Sequence, residues 1–181
     1  MENKDTTFYE LYVRFLGKIT DDLFLELTPE ETLDMLSDIL ISSLPSFDFP
    51  RFNIYDYDLD YEENIDDEFI VHGKFNNALT EEEKDIIINI MLKEWYVRQL
   101  ANSRTTQLRY STADFKMSSQ ANHMQRLQTV IKEQEKVIFH KQRMYGRRIQ
   151  DENTGLYKPN YDWMKKTEKN YKPIFTKVGE F

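Results

Sequence analysis

The chain has 181 residues, 40% of them hydrophobic and 31% charged, a balance typical of one soluble domain with a real core. Five glycines are too few for a β-barrel, a β-sandwich or a glycine-rich phosphate loop, so helices are favoured. The absence of cysteine excludes disulfides and thiolate metal sites. No run reaches the ~20 apolar residues of a membrane span, and the start lacks a signal-peptide pattern, so we expect a cytoplasmic origin and no membrane contact.

Charge is distributed unevenly along the chain. Residues 1–70 hold 19 acidic and 4 basic residues, a net charge of −15, whereas residues 71–181 hold 13 acidic and 20 basic residues, a net charge of +7. This polarity favours head-to-tail or partner association over general nucleic-acid binding, because the acidic half would repel phosphate. The alternative is chance clustering of charges on solvated faces.

A first amphipathic helix is predicted to begin at a capping Thr7, with Glu10 in the capping-box position, and to run to about Gly17. Residues 19–27 follow as a linker whose apolar side chains contact the core. The apolar face of the helix has helical spacing, which predicts burial on one side. It consists of Phe8, Leu11, Tyr12, Phe15 and Leu16.

A second helix is predicted from Thr28, which is followed by Pro29 at the first helical position and by Glu31 at the capping-box position. Its apolar stripe ends at Pro45, which cannot continue a helix. The stripe consists of Leu33, Leu36, Ile39, Leu40, Ile41 and Leu44.

After the second helix the sequence takes a period of two. Aromatic or apolar residues alternate with Asp56, Asp58 and Asp60. Such alternation indicates extended chain, so we expect an acidic loop or small hairpin near residues 47–72, with strand a minor part of the fold.

Residues 80–101 are predicted to form the central helix of the protein. Thr80 is a favourable N-cap, and Glu83 completes a capping box. Apolar residues cover most of the helix circumference, which predicts packing on several sides. The polar sector consists of Asn89, Lys93 and Gln99.

A last helix is predicted from Ser118 or Ser119 through about Tyr145, a length of roughly 40 Å. Gln134 and Lys141 interrupt its apolar seam, so we expect half of it to project or to meet another subunit. The predicted fold class is therefore mainly α, a helical bundle with a long projecting C-terminal helix.

Residues 1–145 are predicted to form this helical domain, and residues 146–181 an extended C-terminal arm. The arm is rich in lysine and, unlike most disordered tails, in aromatic residues, so we expect it to dock on its own chain or on a neighbour. Ordinary fraying of the terminus is the alternative.

The spacing of Asp56, Asp58 and Asp60 is similar to the start of a calcium loop. The pattern then fails, because Tyr61 stands where such a loop needs glycine and Asp67 rather than glutamate closes it. We interpret the stretch as a solvated acidic loop.

Residues 82–84 contain a Glu-x-Lys spacing found in metal-dependent nucleases, but here it opens a helix, where capping explains the glutamates. His72, His123 and His140 lack metal-ligand spacing. We therefore expect no catalytic, cofactor-binding or metal-binding residues and a non-enzymatic protein.

Basic residues cluster near the end of the last helix, and aromatic residues follow in the arm. The cations complement the negative helix end, and they are also suited to contact an acidic protein or phosphate. We expect an acidic protein partner rather than DNA. The candidate interface residues are Lys141, Arg143, Arg147, Arg148, Tyr157, Tyr161, Trp163, Tyr171 and Phe175.

The order of these features resembles the head-to-tail connector proteins of tailed bacteriophages. In many such proteins of phages that infect low-GC Gram-positive bacteria, a Phe followed by Ser-x-Ala-Asn-His or a close variant introduces the last long helix. The corresponding stretch here, residues 115–123, reads FKMSSQANH, and the similarity covers roughly residues 8–145.

The resemblance implies an all-helical virion protein, made in the host bacterial cytoplasm, that assembles as a dodecameric ring beneath the portal protein. Such a ring extends the channel through which genomic DNA passes without specific binding, and it is the attachment platform for the next neck or tail protein. The alternative is a small cytoplasmic helical regulator that binds nucleic acid or a host protein through its basic C-terminal part.

Overall fold

The computed structural model describes residues 5–19, 24, 27–48, 50–65, 69–109, 117–151 and 156–162. Within these residues the chain forms four helices and five strands. The helices are α1 (Phe8–Leu16), α2 (Pro29–Ser43), α3 (Glu81–Arg109) and α4 (Met117–Gly146), with a 3₁₀ turn at Leu44–Ser46. The strands are β1 (Thr6–Thr7), β2 (Tyr57–Ile65), β3 (Phe69–Phe75), β4 (Arg148–Gln150) and β5 (Tyr157–Pro159).

The first sheet is antiparallel and has the order β1-β3-β2, so β2 lies at an edge. Phe75 of β3 is paired with Thr6 on one side and with Tyr57 on the other. The register between β2 and β3 shifts between Asp58 and Glu62, where β2 carries a bulge. The second sheet is a two-stranded hairpin of β4 and β5, directly after α4.

The predicted fold class, a mainly helical bundle, is wrong, because the protein has a mixed α/β fold with two antiparallel sheets. The expected acidic stretch does contain a hairpin, formed by β2 and β3, but this hairpin is a wall of the core and not a minor feature, since Val71 and Phe75 of β3 are buried. Strands β1, β4 and β5 have two or three residues each, too short to leave a period-two pattern in the sequence.

Helix α1 packs its predicted apolar face on this sheet. The ring of Phe8 lies 5.0 Å from that of Phe75 and 5.8 Å from that of Tyr57, measured between ring centroids. Gly73 makes this approach possible, because a Cβ at that position would lie 2.4 Å from Cδ2 of Phe8. The backbone of Gly73 also has φ of 101°, a conformation that favours glycine.

Two of the three predicted capping boxes are confirmed. The N–H of Thr28 donates to Glu31 at 2.9 Å, and the N–H of Thr80 donates to Glu83 at 2.7 Å, each with the reciprocal bond to the threonine hydroxyl. The box predicted at the start of α1 is wrong, because Glu10 instead accepts from Lys84 of α3 at 2.8 Å.

Helix α3 is central to the core, as predicted, with eight apolar residues buried between Ile86 and Leu100. It continues to Arg109 rather than ending near Ala101, and α4 runs antiparallel along it. Asn89, predicted to face solvent, is only 6% exposed, because Gln134 of α4 covers it.

Of the predicted linker, Phe24 packs on Trp95 with their ring centroids 5.1 Å apart, and residues 20–23, 25 and 26 lie outside the described residues.

Substitution Gly73→Ala should destabilise the fold by about 2 to 4 kcal/mol, since the new methyl group meets the Phe8 ring and the backbone must keep a positive φ. Urea denaturation followed by circular dichroism measures the change. Gly17→Ala is the matched control, because Gly17 has φ of −65° and its nearest neighbour would lie 3.4 Å away. The control should change stability by less than about 1 kcal/mol, and equal effects of the two substitutions would contradict the steric explanation.

Candidate protein-interaction surfaces

Six of the nine predicted interface residues lie in the described chain, at the end of α4 and in the hairpin that follows it. These are Lys141, Arg143, Arg147, Arg148, Tyr157 and Tyr161. Trp163, Tyr171 and Phe175 lie outside the described residues. The hairpin brings Arg148 and Tyr157 together, with the guanidinium carbon 5.0 Å from the ring centroid, and the carbonyl of Arg147 accepts from the N–H of Asn160 at 2.7 Å.

The hairpin presents apolar side chains to solvent. Exposed fractions are 44% for Ile149, 71% for Leu156, 52% for Tyr157 and 65% for Tyr161. We call Arg147, Arg148, Ile149, Leu156, Tyr157, Lys158 and Tyr161 the basic hairpin. Its strands have three residues each, and a two-stranded hairpin of that length is marginally stable on its own. Arg148 attaches it to α3 through an ion pair with Glu82 at 2.5 Å.

The ammonium group of Lys141 is paired within the chain and is not available to a partner. Its ammonium pairs with Asp85 of α3, which also pairs with Lys18 at 3.0 Å. Burial alone would raise the pKa of the Asp85 carboxyl, but the hydrogen bonds from the two lysines outweigh it, so that pKa lies below its usual value. Asp85 therefore joins α3 to α4 through Lys141 and to the segment after α1 through Lys18.

Gln134 has a comparable role two turns before Lys141 in α4, where it meets α3 one turn after Asp85. Its side-chain amide donates to Oδ1 of Asn89 at 2.9 Å. The two residues that interrupt the apolar seam of α4 thus each have a specific polar partner on α3. Polar pairs of this kind specify the register of two packed helices.

The carboxylate of Glu83 is the most buried acidic group of the described chain, with the residue 1% exposed. Besides the backbone of Thr80, it accepts from the hydroxyl of Tyr145 at 2.6 Å and from the guanidinium of Arg51 at 3.3 Å. Burial and this hydrogen bond raise the pKa of the Tyr145 hydroxyl. Its neighbour Lys84 pairs with Glu10 and with Glu81 at 3.1 Å. The triplet that is similar to a nuclease motif therefore has a structural role.

The second exposed surface lies on and before the edge strand β2. We call Tyr55, Asp56, Asp58, Leu59, Asp60 and Glu62 the acidic strand surface. Asp56 accepts from the side chain of Asn76 at 2.7 Å, and Asp58 accepts from the N–H of Asp60 at 3.0 Å. Asp60 and Glu62 are exposed, and the described residues contain no cluster of three acidic or histidine side chains suited to hold a metal ion.

Two cavities lie beside α1. The first, about 330 Å³, is apolar and is lined by α1, α2 and the sheet, including Tyr12, Leu36 and Val71. The second, about 490 Å³, is polar and is lined by Glu10, Glu63 and Lys84 among others. Sequence reasoning did not identify either cavity, because their walls come from segments distant in the chain.

Tyr12 in the apolar cavity has a buried hydroxyl. Apart from a contact with Ser37, this hydroxyl has no well-formed hydrogen bond within the described chain. Burial raises its pKa to about 12, and the Ser37 contact opposes the rise.

Comparison of the chain with protein-family models, curated proteins and solved structures finds no match. Each helix in the described part of the chain is too short or too polar to cross a membrane.

Substitution Glu83→Ala should destabilise the fold by about 2 to 3 kcal/mol, because it leaves the Tyr145 hydroxyl and the Thr80 N–H without an acceptor in a buried site. Glu82→Ala is the matched control at the adjacent position. It removes only the ion pair with the exposed Arg148, so we expect a change of about 0 to 1 kcal/mol. Denaturant unfolding of both variants measures the difference, and a larger effect at Glu82 would contradict the assignment.

Substitution Tyr12→Phe should change stability by less than about 1 kcal/mol at neutral pH, since the hydroxyl lacks a well-formed hydrogen bond. Above pH 10 the unfolded tyrosine ionises, while the folded one stays protonated until about pH 12. The wild type should therefore lose about 2 to 3 kcal/mol relative to the variant between pH 10 and pH 12. Unfolding curves of both proteins at matched pH values test this, and parallel pH profiles would contradict it.

Proposed function

We propose that this chain is a non-enzymatic virion structural protein, a head-to-tail connector of a tailed bacteriophage. The observation that carries the proposal is the presence of two exposed surfaces of opposite charge, the acidic strand surface and the basic hairpin, each with exposed apolar side chains. Subunits that assemble into a ring need two unlike surfaces of this kind, because a ring contact is heterologous.

The resemblance in residues 115–123 also supports the proposal. In connector proteins this motif introduces the last long helix, and here α4 begins within it, at Met117. We propose a dodecameric ring beneath the portal protein, with the next neck or tail protein bound to its other face. The all-helical architecture that the resemblance implied is not part of the proposal, because the fold is mixed.

Genomic DNA would pass through such a ring without specific binding. Carboxylates repel the phosphate backbone, so a channel lined by acidic or neutral surface lets DNA slide. The regulator alternative depends on cations that are available to phosphate or to a host protein. Two of the four basic residues predicted for this region, Lys141 and Arg148, are already paired with carboxylates of α3, which leaves fewer cations for phosphate.

Quantitative peptide mass spectrometry on purified phage particles tests the proposal. We expect this protein at the copy number of one ring per particle, with the portal protein as internal standard and an abundant host cytoplasmic protein as control for carry-over. Absence from particles, or presence only at the level of the host control, would overturn it.

Binding of the purified protein to duplex DNA tests the alternative. A nucleic-acid regulator would bind duplex and lose roughly 10³-fold or more in affinity between low and moderate salt. We expect no such binding from a connector. Fluorescence anisotropy with a labelled duplex measures it.

A further inference from the structure

We propose that the basic hairpin of one copy of this chain binds the acidic strand surface of a second copy, head to tail. This inference rests on the proposed connector function and specifies which two surfaces meet within the assembly. Both surfaces lie in the described chain, and their charge and exposure, together with the open edge of β2, suit them to each other.

The acidic strand surface keeps a charge excess, although Lys74 of β3 lies opposite Asp58. Residues 53–65 contain five Asp or Glu and no Lys or Arg. Among the described residues, the ion pairs of the fold reach neither Asp60 nor Glu62. Two apolar side chains lie among these carboxylates, Tyr55 at 56% and Leu59 at 45% exposure.

Strand β2 also has an open edge. In the order β1-β3-β2 its second edge has no strand partner within the described chain. Unpaired backbone N–H and C=O groups along an edge strand bind added extended chain. The bulge at Asp58 to Glu62 and the carboxylates discourage most such additions, so a partner must supply cations.

Arg147 of the basic hairpin and Arg143 in the last turn of α4 supply these cations, because the other two cations of the hairpin are paired within the chain. Arg143 and Arg147 are exposed, and within the described chain neither side chain forms an ion pair. Guanidinium groups suit carboxylates because they form two parallel hydrogen bonds. Leu156 and Tyr161 are the most exposed apolar residues of the hairpin, and contact with Tyr55 and Leu59 of another copy would remove them from water.

The two surfaces are unlike, so each copy that uses one of them retains the other. Contacts of this type are heterologous and continue from copy to copy until a ring closes or a filament grows. The contact also gives a role to the hairpin after α4, which is marginally stable on its own. Strand β2 of a second copy would add to the hairpin as a further strand and cover its apolar side chains.

Paired charge-reversal variants test the contact. In Asp60→Lys/Glu62→Lys the acidic strand surface is reversed, and in Arg143→Glu/Arg147→Glu the basic side is reversed. Wild-type chain should self-associate in sedimentation velocity, more weakly as salt is raised. Each double variant alone should self-associate at least about 100-fold more weakly, because attraction becomes repulsion.

Mixing and combining the variants makes the test specific. In an equimolar mixture both contacts between unlike variants join opposite charges, so the mixture should associate again, with the two variants in a 1:1 ratio. The quadruple variant has both charges reversed, so it should self-associate again. Matched controls are Asp34→Lys/Asp38→Lys on α2 and Arg104→Glu/Arg126→Glu towards the far end of the α3–α4 pair, all exposed positions, and both should associate like the wild type.

The contact is overturned if the wild type stays monomeric, if either reversal variant associates like the wild type, or if the mixture of the two variants does not associate. Circular dichroism of every variant identifies loss of fold. Association of the quadruple variant would show that the reversed side chains are compatible with the folded protein. If the protein is found in particles but the variants associate normally, this contact is wrong and the connector function stands. If the contact is found but the protein is absent from particles, the contact stands and the connector function is wrong.

Discussion

The buried carboxylate of Glu83 is the constraint on which the arrangement of the chain depends. A carboxylate in a dry site is costly unless hydrogen bonds satisfy it, and the positive end of α3 favours it there. Its remaining donors come from Arg51, in the segment after α2, and from Tyr145, in the last turn of α4. The segment that leads into β2 and the end of α4 must therefore both lie beside the N-terminus of α3. The two candidate surfaces are thus both anchored to the same end of that helix.

The α3–α4 pair shows how polar interruptions of an apolar seam act. Viewed along α4 alone, Gln134 and Lys141 look like points where packing stops. In the structure they pair with Asn89 and Asp85 of α3. These pairs form in only one register of the two helices, so they favour that register over shifted ones. The apolar seam supplies most of the free energy of the contact, and these pairs supply its specificity.

The charge asymmetry of the chain is not neutralised inside the fold. Three ion pairs join a cation of the acidic half to a carboxylate of α3: Arg14 with Glu81, Lys18 with Asp85, and Arg51 with Glu83. These pairs use Arg14, Lys18 and Arg51, and within the described chain no ion pair reaches Asp60 or Glu62 of β2. Opposite surplus charges therefore remain on the surface, where a second molecule can reach them.

The sequence by itself determined the helices and their starts, because capping and a period of 3.6 residues are local. The boxes at Thr28 and Thr80 and the apolar face of α1 needed no knowledge of distant residues. It also placed the basic residues of the candidate surface. Only the tertiary structure decided that Lys141 and Arg148 are paired internally, that Asn89 is buried, and that short strands complete two sheets. Each of these features depends on a partner that is far away in the chain. A pattern that repeats every few residues carries no information about such a partner.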